Sequence, residues 1–180
     1  MRIITGSAKG RKIKAPKDSK TIRPALSQVR EAIFSSLGDM AEKIVLDIFA
    51  GTGSLGLEAL SRGCPQAYFV DGDAGAVRLI LENLEILGFL DKAHVFKRNL
   101  PRGLESVKLS VKPAVIFVDP PYDKGLIDKT LAVLAKQNYV DRETLIIIEH
   151  TKREVPANPD FDVVKQKNFG QTLLTYLKQK

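Results

Sequence analysis

The sequence predicts an α/β fold: a mostly parallel seven-stranded sheet that ends in a C-terminal antiparallel hairpin and is preceded by a short N-terminal β-hairpin. Three observations predict it. From residue 44 onward, short apolar runs rich in β-branched and aromatic residues alternate with segments of helical periodicity. The runs are continuously apolar, the mark of parallel strands covered on both faces. The last two runs are joined through Gly170 with no helix between them, so they pair as a hairpin.

Each element has its own signal. Arg2-Ile3-Ile4-Thr5 and Arg11-Lys12-Ile13-Lys14 flank Gly6-Ser7-Ala8-Lys9-Gly10, which reads as two short strands around a glycine-bearing turn. Pro16 and Pro24 mark residues 16–26 as a loop. Ser27 is the expected N-cap of a helix carrying Val29, Ile33 and Leu37 at helical spacing, stopped by Gly38. The expected strands are 44–49, 67–71, 93–97, 115–119 and 145–149, followed by the hairpin 162–169 and 172–177. Helices fall between the strands: 55–62 closed by Gly63, 74–87 closed by Gly88, and one carrying Ile127, Leu131 and Leu134. The chain reads as one domain, 1–180, with a basic extension and helix (1–40) leading into the α/β core (41–180).

Composition narrows the function. The 180 residues are 44% hydrophobic and 27% charged, the balance of a soluble globular protein. No apolar run approaches the ~18 residues of a membrane span, and the basic N-terminus lacks the apolar stretch of a signal peptide. The single cysteine, Cys64, excludes an internal disulfide framework, and no metal-ligand spacing is present. The expectation is a cytoplasmic monomer without metal or membrane. Net charge is +7, and residues 1–30 alone carry nine basic side chains and one acid, a net of +8. A cationic arm on a nearly neutral body points to an anionic polymer as partner.

Three motifs carry the chemistry, and all fall at strand C-termini, where open α/β sheets bind ligands. In the first, Asp47-Ile48-Phe49-Ala50-Gly51-Thr52-Gly53-Ser54 runs from a strand through a glycine turn into a helix. Glycine admits the sharp turn and close ligand approach, and the helix start offers free N–H groups. In the second, Asp71 ends the next strand, 20 residues after Gly51, with Asp73 close behind. An acid there can accept from both ribose hydroxyls of a nucleoside cofactor. At this point a nicotinamide dinucleotide and S-adenosylmethionine fit equally. The third motif, Asp119-Pro120-Pro121-Tyr122, separates them. Its prolines fix the turn and remove two N–H donors. The Asp119 carboxylate and the Pro120 carbonyl can then accept both protons of one amino group, while Tyr122 offers a flat face to a base. His94 and His150 are read as packed or solvated side chains.

With these motifs the chain resembles class I methyltransferases that modify exocyclic amines of nucleobases. Within that group it resembles the family that methylates guanine N2 in bacterial small-subunit ribosomal RNA. The resemblance spans nearly the whole chain. It includes Arg2-Ile3-Ile4-Thr5-Gly6, Lys9-Gly10-Arg11-Lys12, Arg23-Pro24, Val29-Arg30-Glu31-Ala32-Ile33-Phe34, the segment 47–63, Asp119-Pro120-Pro121-Tyr122, Phe169-Gly170 and Tyr176.

The resemblance implies a Rossmann-like fold and S-adenosylmethionine as cofactor. It implies that Phe49, Ala50, Gly51 and Gly53 wrap the methionine and ribose, with Asp47 and Thr52 in the same loop. Asp71 and Asp73 take the ribose side, Asn99 and Leu100 border the adenine, and Asp119, Pro120, Pro121 and Tyr122 form the catalytic set. The charge of the arm makes Lys9, Arg11, Lys12 and Arg30 the expected phosphate contacts, and the resemblance places Arg23, the fifth expected RNA contact, near the target. The implied partner is ribosomal RNA within an assembled small-subunit particle. Three positions depart from the family pattern: Asp71 where glutamate is common, Asn99 where many methyltransferases have aspartate, and Ala25 where threonine usually follows Arg-Pro. The alternatives are a DNA adenine-N6 or cytosine-N4 methyltransferase, and a nucleic-acid-binding protein with a vestigial cofactor fold.

Overall fold

A computed structural model describes residues 1–16 and 24–180. Five parallel strands, β1 (Val45–Ile48), β2 (Ala67–Asp71), β3 (Ala93–Lys97), β4 (Val115–Val118) and β5 (Leu145–Thr151), are joined by β6 (Phe161–Phe169) and β7 (Thr172–Gln179). They form one sheet in the order β3-β2-β1-β4-β5-β7-β6. Helices α1 (Pro24–Leu37), α2 (Ser54–Ser61), α3 (Ala74–Leu87) and α4 (Ile127–Leu134) pack on it. The final hairpin inserts β7 between β5 and β6, antiparallel to both. Burial explains the order: Leu173 to Leu177 of β7 are buried, whereas Asp162 to Gln166 of β6 are exposed at the edge.

Both faces are covered, as the continuous apolar runs require. Val45, Phe69, Phe117 and Ile147 point to one face and pack with Ile33, Phe34, Leu57 and Ile80. Leu46, Val70, Ile116, Val118 and Ile148 point to the other and pack with Leu131 and Leu134. Strand β1 pairs in parallel with both β2 and β4. The chain leaves β1 toward β2 and β3, then returns to lay β4 and β5 on the other side. That reversal opens a crevice beyond the carboxyl ends of β1 and β4.

Two local expectations are corrected. Helix α1 starts at Pro24, earlier than a cap at Ser27 requires. Proline's fixed φ suits a first helical turn, and its missing N–H costs nothing there. Most of the expected 16–26 loop, residues 17–23, lies outside the described residues. The N-terminal hairpin is reduced to a single antiparallel bridge, Arg2 with Lys12.

Helix α2 holds residues 4–8, and helix α3 holds Arg11 and Lys14. The fully buried Glu58 carboxylate accepts the Ile4 N–H at 2.8 Å and the Thr5 N–H at 3.0 Å. It also accepts the Arg62 Nε–H at 2.9 Å. The Arg62 guanidinium lies 4.7 Å over the Phe34 ring. Ser61 adds its hydroxyl to the Thr5 carbonyl at 2.6 Å and accepts the Ala8 N–H at 3.0 Å. Gly6 crosses so closely that a Cβ there would stand 1.8 Å from the Ser61 carbonyl oxygen. The segment is therefore a docked part of the core, with Ile3, Ala8 and Ile13 buried.

Removing Glu58 leaves two backbone N–H groups and Arg62 without their acceptor. Glu58→Ala should cost about 3–5 kcal/mol, read as a lower midpoint in denaturant, and should expose residues 1–16 to proteolysis first. A variant with unchanged midpoint and cleavage pattern would show that the segment is held by its other contacts and not by Glu58.

Asp47 is buried in β1, and its Oδ2 accepts the Gly56 N–H at 3.0 Å, tying the strand to the first turn of α2. Burial, opposed by that bond and reinforced by the Asp71 charge, pushes its carboxyl up to about 7. A carboxyl whose folded-state value is raised carries a penalty above that value and none below its unfolded value of about 3.9. The stability of Asp47→Asn relative to the cofactor-free native chain should therefore decline as pH falls from 8 to 4. A pH-independent difference in urea midpoints would refute the assignment.

Candidate active site

The chain makes its glycine turn directly after β1. Phe49, Gly51 and Gly53 all take positive φ, at 61°, 56° and 77°. For Phe49 this backbone is strained, at about 1–3 kcal/mol. The Ala50 N–H on the Val70 carbonyl (3.2 Å) and the Gly53 N–H on the Ala50 carbonyl (2.7 Å) hold the turn. Asn83 of α3 braces it from behind, donating to the Thr52 carbonyl at 3.0 Å and to the Lys14 carbonyl at 3.1 Å. Asp71 meets the turn at the end of β2. Its Oδ2 accepts the Gly51 N–H at 2.8 Å and its Oδ1 accepts the Asp73 N–H at 2.9 Å. Each oxygen keeps acceptor capacity for a further donor, such as a vicinal diol.

Strand β4 delivers the second half of the site. The Asp119 N–H reaches back to the Ile48 carbonyl at 3.4 Å, so the Asp119-Pro120-Pro121-Tyr122 turn starts beside the glycine turn. Among the described residues, no donor is hydrogen-bonded to the Asp119 carboxylate or to the Pro120 carbonyl. Burial, then the neighbouring Glu149 and Asp47 carboxylates, raise the Asp119 carboxyl well above the usual range. The Tyr122 ring is 41% exposed, while its hydroxyl donates to Glu149 Oε1 at 2.8 Å.

These groups line one cleft of about 530 Å³, formed by Phe49, Gly51, Asp71, Asp73, Ala76, Asp119, Pro120, Pro121 and Tyr122. Among the described residues that line it, three are acids and none is basic. A larger cavity of about 910 Å³ adjoins it between Lys14–Pro16 and the start of α3, sharing Gly51, Asp73 and Ala76. Such a cleft suits a cationic or amine-bearing ligand and repels a pyrophosphate.

Most of the expected site residues meet here, with corrections. Asp47 does not reach the cleft: it is 2% exposed, and it supports the turn from below. Ala50 is buried within the turn, and Thr52 lines the adjoining cavity. Asn99 and Leu100 are absent from the cleft wall. They follow β3 beside Gly72, where an added Cβ would lie 3.3 Å from the Arg98 carbonyl oxygen.

The basic residues divide. Arg30 is corrected from an RNA contact to a structural residue. It is 4% exposed, its guanidinium donates to the Arg2 carbonyl at 2.7 Å, and its Nε is 3.8 Å from Glu58. Arg11 spends its guanidinium on the Ile86 and Leu87 carbonyls at the end of α3, where the helix dipole favours a cation. Lys9 and Lys12 are exposed. Arg23 lies outside the described residues. His94 stacks on Tyr68 at 5.1 Å, and His150 is buried against the Thr175 hydroxyl at 2.7 Å; neither lines the cleft. Among the described residues no group of three His, Cys, Asp or Glu side chains could hold a metal ion. None of the described helices is long and apolar enough to cross a membrane.

Glu149, Glu58 and Asn83 were not among the expected functional residues. Glu149 had a signal: an acid closing the apolar run Ile146-Ile147-Ile148 at the same sheet edge as Asp71 and Asp119.

Comparison with known proteins fits this geometry. The family model described as "Conserved hypothetical protein 95" matches residues 1–178. "Ribosomal RNA small subunit methyltransferase D" of Escherichia coli K12 is 34% identical over 176 residues, 95% of this chain and 86% of that protein. The solved structure of a hypothetical protein from Thermus thermophilus superposes with a TM-score of 0.79 at 29% identity, covering 99% of both chains. An RNA methyltransferase from Salinibacter ruber, solved with S-adenosyl-L-homocysteine, shares the fold with a TM-score of 0.66 at 12% identity, covering 91% of this chain and 92% of that one. The chain therefore belongs to the family described as Conserved hypothetical protein 95, and its relatives include the Escherichia coli small subunit methyltransferase D.

Proposed function

We propose that this chain is an S-adenosylmethionine-dependent methyltransferase that modifies the exocyclic N2 of a guanine in small-subunit ribosomal RNA. The observation that carries the reading is the acid-lined cleft joining the glycine turn to the Asp119-Pro120-Pro121-Tyr122 turn. A dinucleotide would bring its pyrophosphate against Asp71, Asp73 and Asp119, whereas a sulfonium cofactor brings a positive charge. The Cβ-free Gly51 leaves room for it, whereas the missing Cβ of Gly53 makes room for the core side chains Ile80, Leu57 and Phe69, and Asp71 retains acceptor capacity for a ribose diol. S-adenosylmethionine, when bound, supplies an electrophilic methyl group.

The chain's own residues deal with the nucleophile. A guanine amine is a poor nucleophile because its lone pair is delocalised into the ring. Beside the positive charge of the cofactor the ionised form of Asp119 is favoured. Its carboxylate and the Pro120 carbonyl accept hydrogen bonds from the two N–H groups of the amine and favour a pyramidal nitrogen, which gives up one of those protons once it is methylated. The lone pair is thereby freed and aimed along the cleft, and charge developing on nitrogen meets the anionic wall. Tyr122 stacks on the base, offsetting part of the unstacking cost with about 1–3 kcal/mol. Similarity over 95% of this chain to a relative named for small-subunit ribosomal RNA favours RNA over the DNA adenine or cytosine reading, which shares the same turn chemistry. An assembled particle as substrate and a monomeric, cytoplasmic enzyme complete the proposal.

Two variants separate the halves of the site. Asp71→Ala should weaken cofactor binding by calorimetry about tenfold or more, the loss of a charge-assisted hydrogen bond. Asp119→Ala should leave that affinity nearly intact while lowering methyl transfer by about 100-fold or more. Nucleoside analysis of the product identifies the methylated atom. An Asp119→Ala enzyme with near-native turnover, or undetectable cofactor binding by the native chain at millimolar concentration, would refute the assignment.

The docked N-terminal segment narrows the RNA surface. With Arg30 buried and Arg11 engaged, Lys9 and Lys12 are the exposed candidates for phosphate contact among the described residues of the expected set. Replacing both by alanine should flatten the plot of log affinity against log salt by about 1.4–1.8, at roughly 0.7–0.9 per phosphate, and leave cofactor binding unchanged. An unchanged slope would move the RNA surface away from this segment.

A further inference from the structure

We infer that Glu149 is a positioning residue for the target base: through its hydrogen bond to the Tyr122 hydroxyl it fixes the plane of the ring on which the base stacks. This rests on the reading of the cleft as a methyltransferase site. The argument begins with what Tyr122 lacks. It stands in an exposed turn, is 41% accessible, and follows two prolines that fix the backbone but not the side chain. An exposed tyrosine ring is free to change rotamer on the nanosecond scale. The structure anchors it through its hydroxyl, which donates to Glu149 Oε1 at 2.8 Å and has Thr172 beside it.

Glu149 is built for that task. It lies on β5, 6% exposed, in register with Leu174 of β7 and flanked by the buried Ile148 and His150. Its backbone pairs with β7, one residue beyond Ile148, the last partner of β4. Among the described residues no cation pairs with it, and the Tyr122 hydroxyl is the only donor hydrogen-bonded to its carboxylate. A buried carboxylate without a cation costs stability; Glu149 bears on two neighbours, the Asp119 carboxyl, whose ionisation its charge opposes, and the Tyr122 hydroxyl, which it holds by a hydrogen bond. The far end of the same turn is held from the same strand end: Glu154 accepts the Asp123 N–H at 2.7 Å and the Leu126 N–H at 3.0 Å. Strand β5 and the residues just after it thus clamp the loop after Pro121 at two points, and Glu149 is the one that acts on the ring.

The experiment compares Tyr122→Phe, Glu149→Ala, Glu149→Gln and the double variant Tyr122→Phe/Glu149→Ala. Measured quantities are kcat and KM for methyl transfer to small-subunit RNA, calorimetric cofactor affinity, and NMR of labelled tyrosine rings. The chain has four tyrosines, so the Tyr122 signal is assigned by its loss in Tyr122→Phe. Tyr122→Phe and Glu149→Ala should each lower kcat by about tenfold, a misaligned rather than an absent platform. The double variant should fall no further than either one. Glu149→Gln keeps an acceptor oxygen and should stay within about twofold of the native enzyme. Cofactor affinity should not change, and the Tyr122 ring signal should sharpen toward a mobile ring in Glu149→Ala but not in Glu149→Gln.

Native turnover in Tyr122→Phe overturns the inference even if Glu149→Ala fails to fold. So does additive loss in the double variant, or a Glu149→Gln enzyme as impaired as Glu149→Ala. If the native chain methylates no RNA, the proposed function falls, and the ring NMR alone decides: a ring released in Glu149→Ala sustains the positioning role, an unchanged ring overturns it.

Discussion

Everything at the site depends on one pairing, the parallel register of β1 with β4, which sets Ile48 opposite Val118. Two chain segments about 70 residues apart in sequence end side by side on the same sheet edge because of it. The glycine turn leaves one strand and the Asp-Pro-Pro-Tyr turn leaves the other, and the Asp119 N–H closes the gap on the Ile48 carbonyl. Slipping a strand by one residue would turn every core side chain to the opposite face. Burial of Val45, Phe117, Leu46 and Val118 on their proper faces therefore fixes where the carboxylate stands. Core packing and chemistry are here the same constraint.

The strands were legible because both faces of the sheet are buried. Continuous runs such as Val115-Ile116-Phe117-Val118 admit little else, and the glycines after the helices mark their ends. The hairpin was legible from Gly170, but the placement of β7 inside β6 was not. It follows from comparing which strand is apolar, since Leu173, Leu174 and Leu177 need cover that Asp162 and Lys165 do not. At the site, Gly51, Gly53, Asp71, Asp119 and Tyr122 were legible as residue types at strand ends. Asp47 was misread because a carboxylate in a motif looks the same in sequence whether it faces the cleft or the first turn of a helix.

The N-terminal segment shows where charge counting runs out. Nine basic residues within thirty read as a cationic arm, yet a side chain's charge does not say what it is spent on. Arg30 is spent on the Arg2 carbonyl and Glu58, and Arg11 on helix C-terminal carbonyls. The decisive partner, Glu58, sits in the middle of an apolar helix more than fifty residues from Ile4 and Thr5, so no local pattern announces it. A buried acid in a helix otherwise reading Leu-Gly-Leu-Glu-Ala-Leu is the one available hint, because such a charge needs partners from elsewhere.

The electrostatics of the two regions are opposite, and under the proposed function that opposition is useful. A polyanion and an acid-lined cleft repel, so the nucleic-acid backbone has no reason to enter between Asp71, Asp73 and Asp119. A nucleobase carries no net charge and presents an amine edge, which those acceptors favour. The exposed Lys9 and Lys12 lie on the docked segment, held by α2 and by Asn83 at a fixed place relative to the glycine turn. Phosphates are then attracted to a rigid rim while the cleft admits only what has been flipped out of the stack. Rigid docking matters for this. A tethered arm would raise affinity without register, whereas under the proposed function lysines fixed to the core would add direction, and the energy of phosphate contact would also align the base with Asp119.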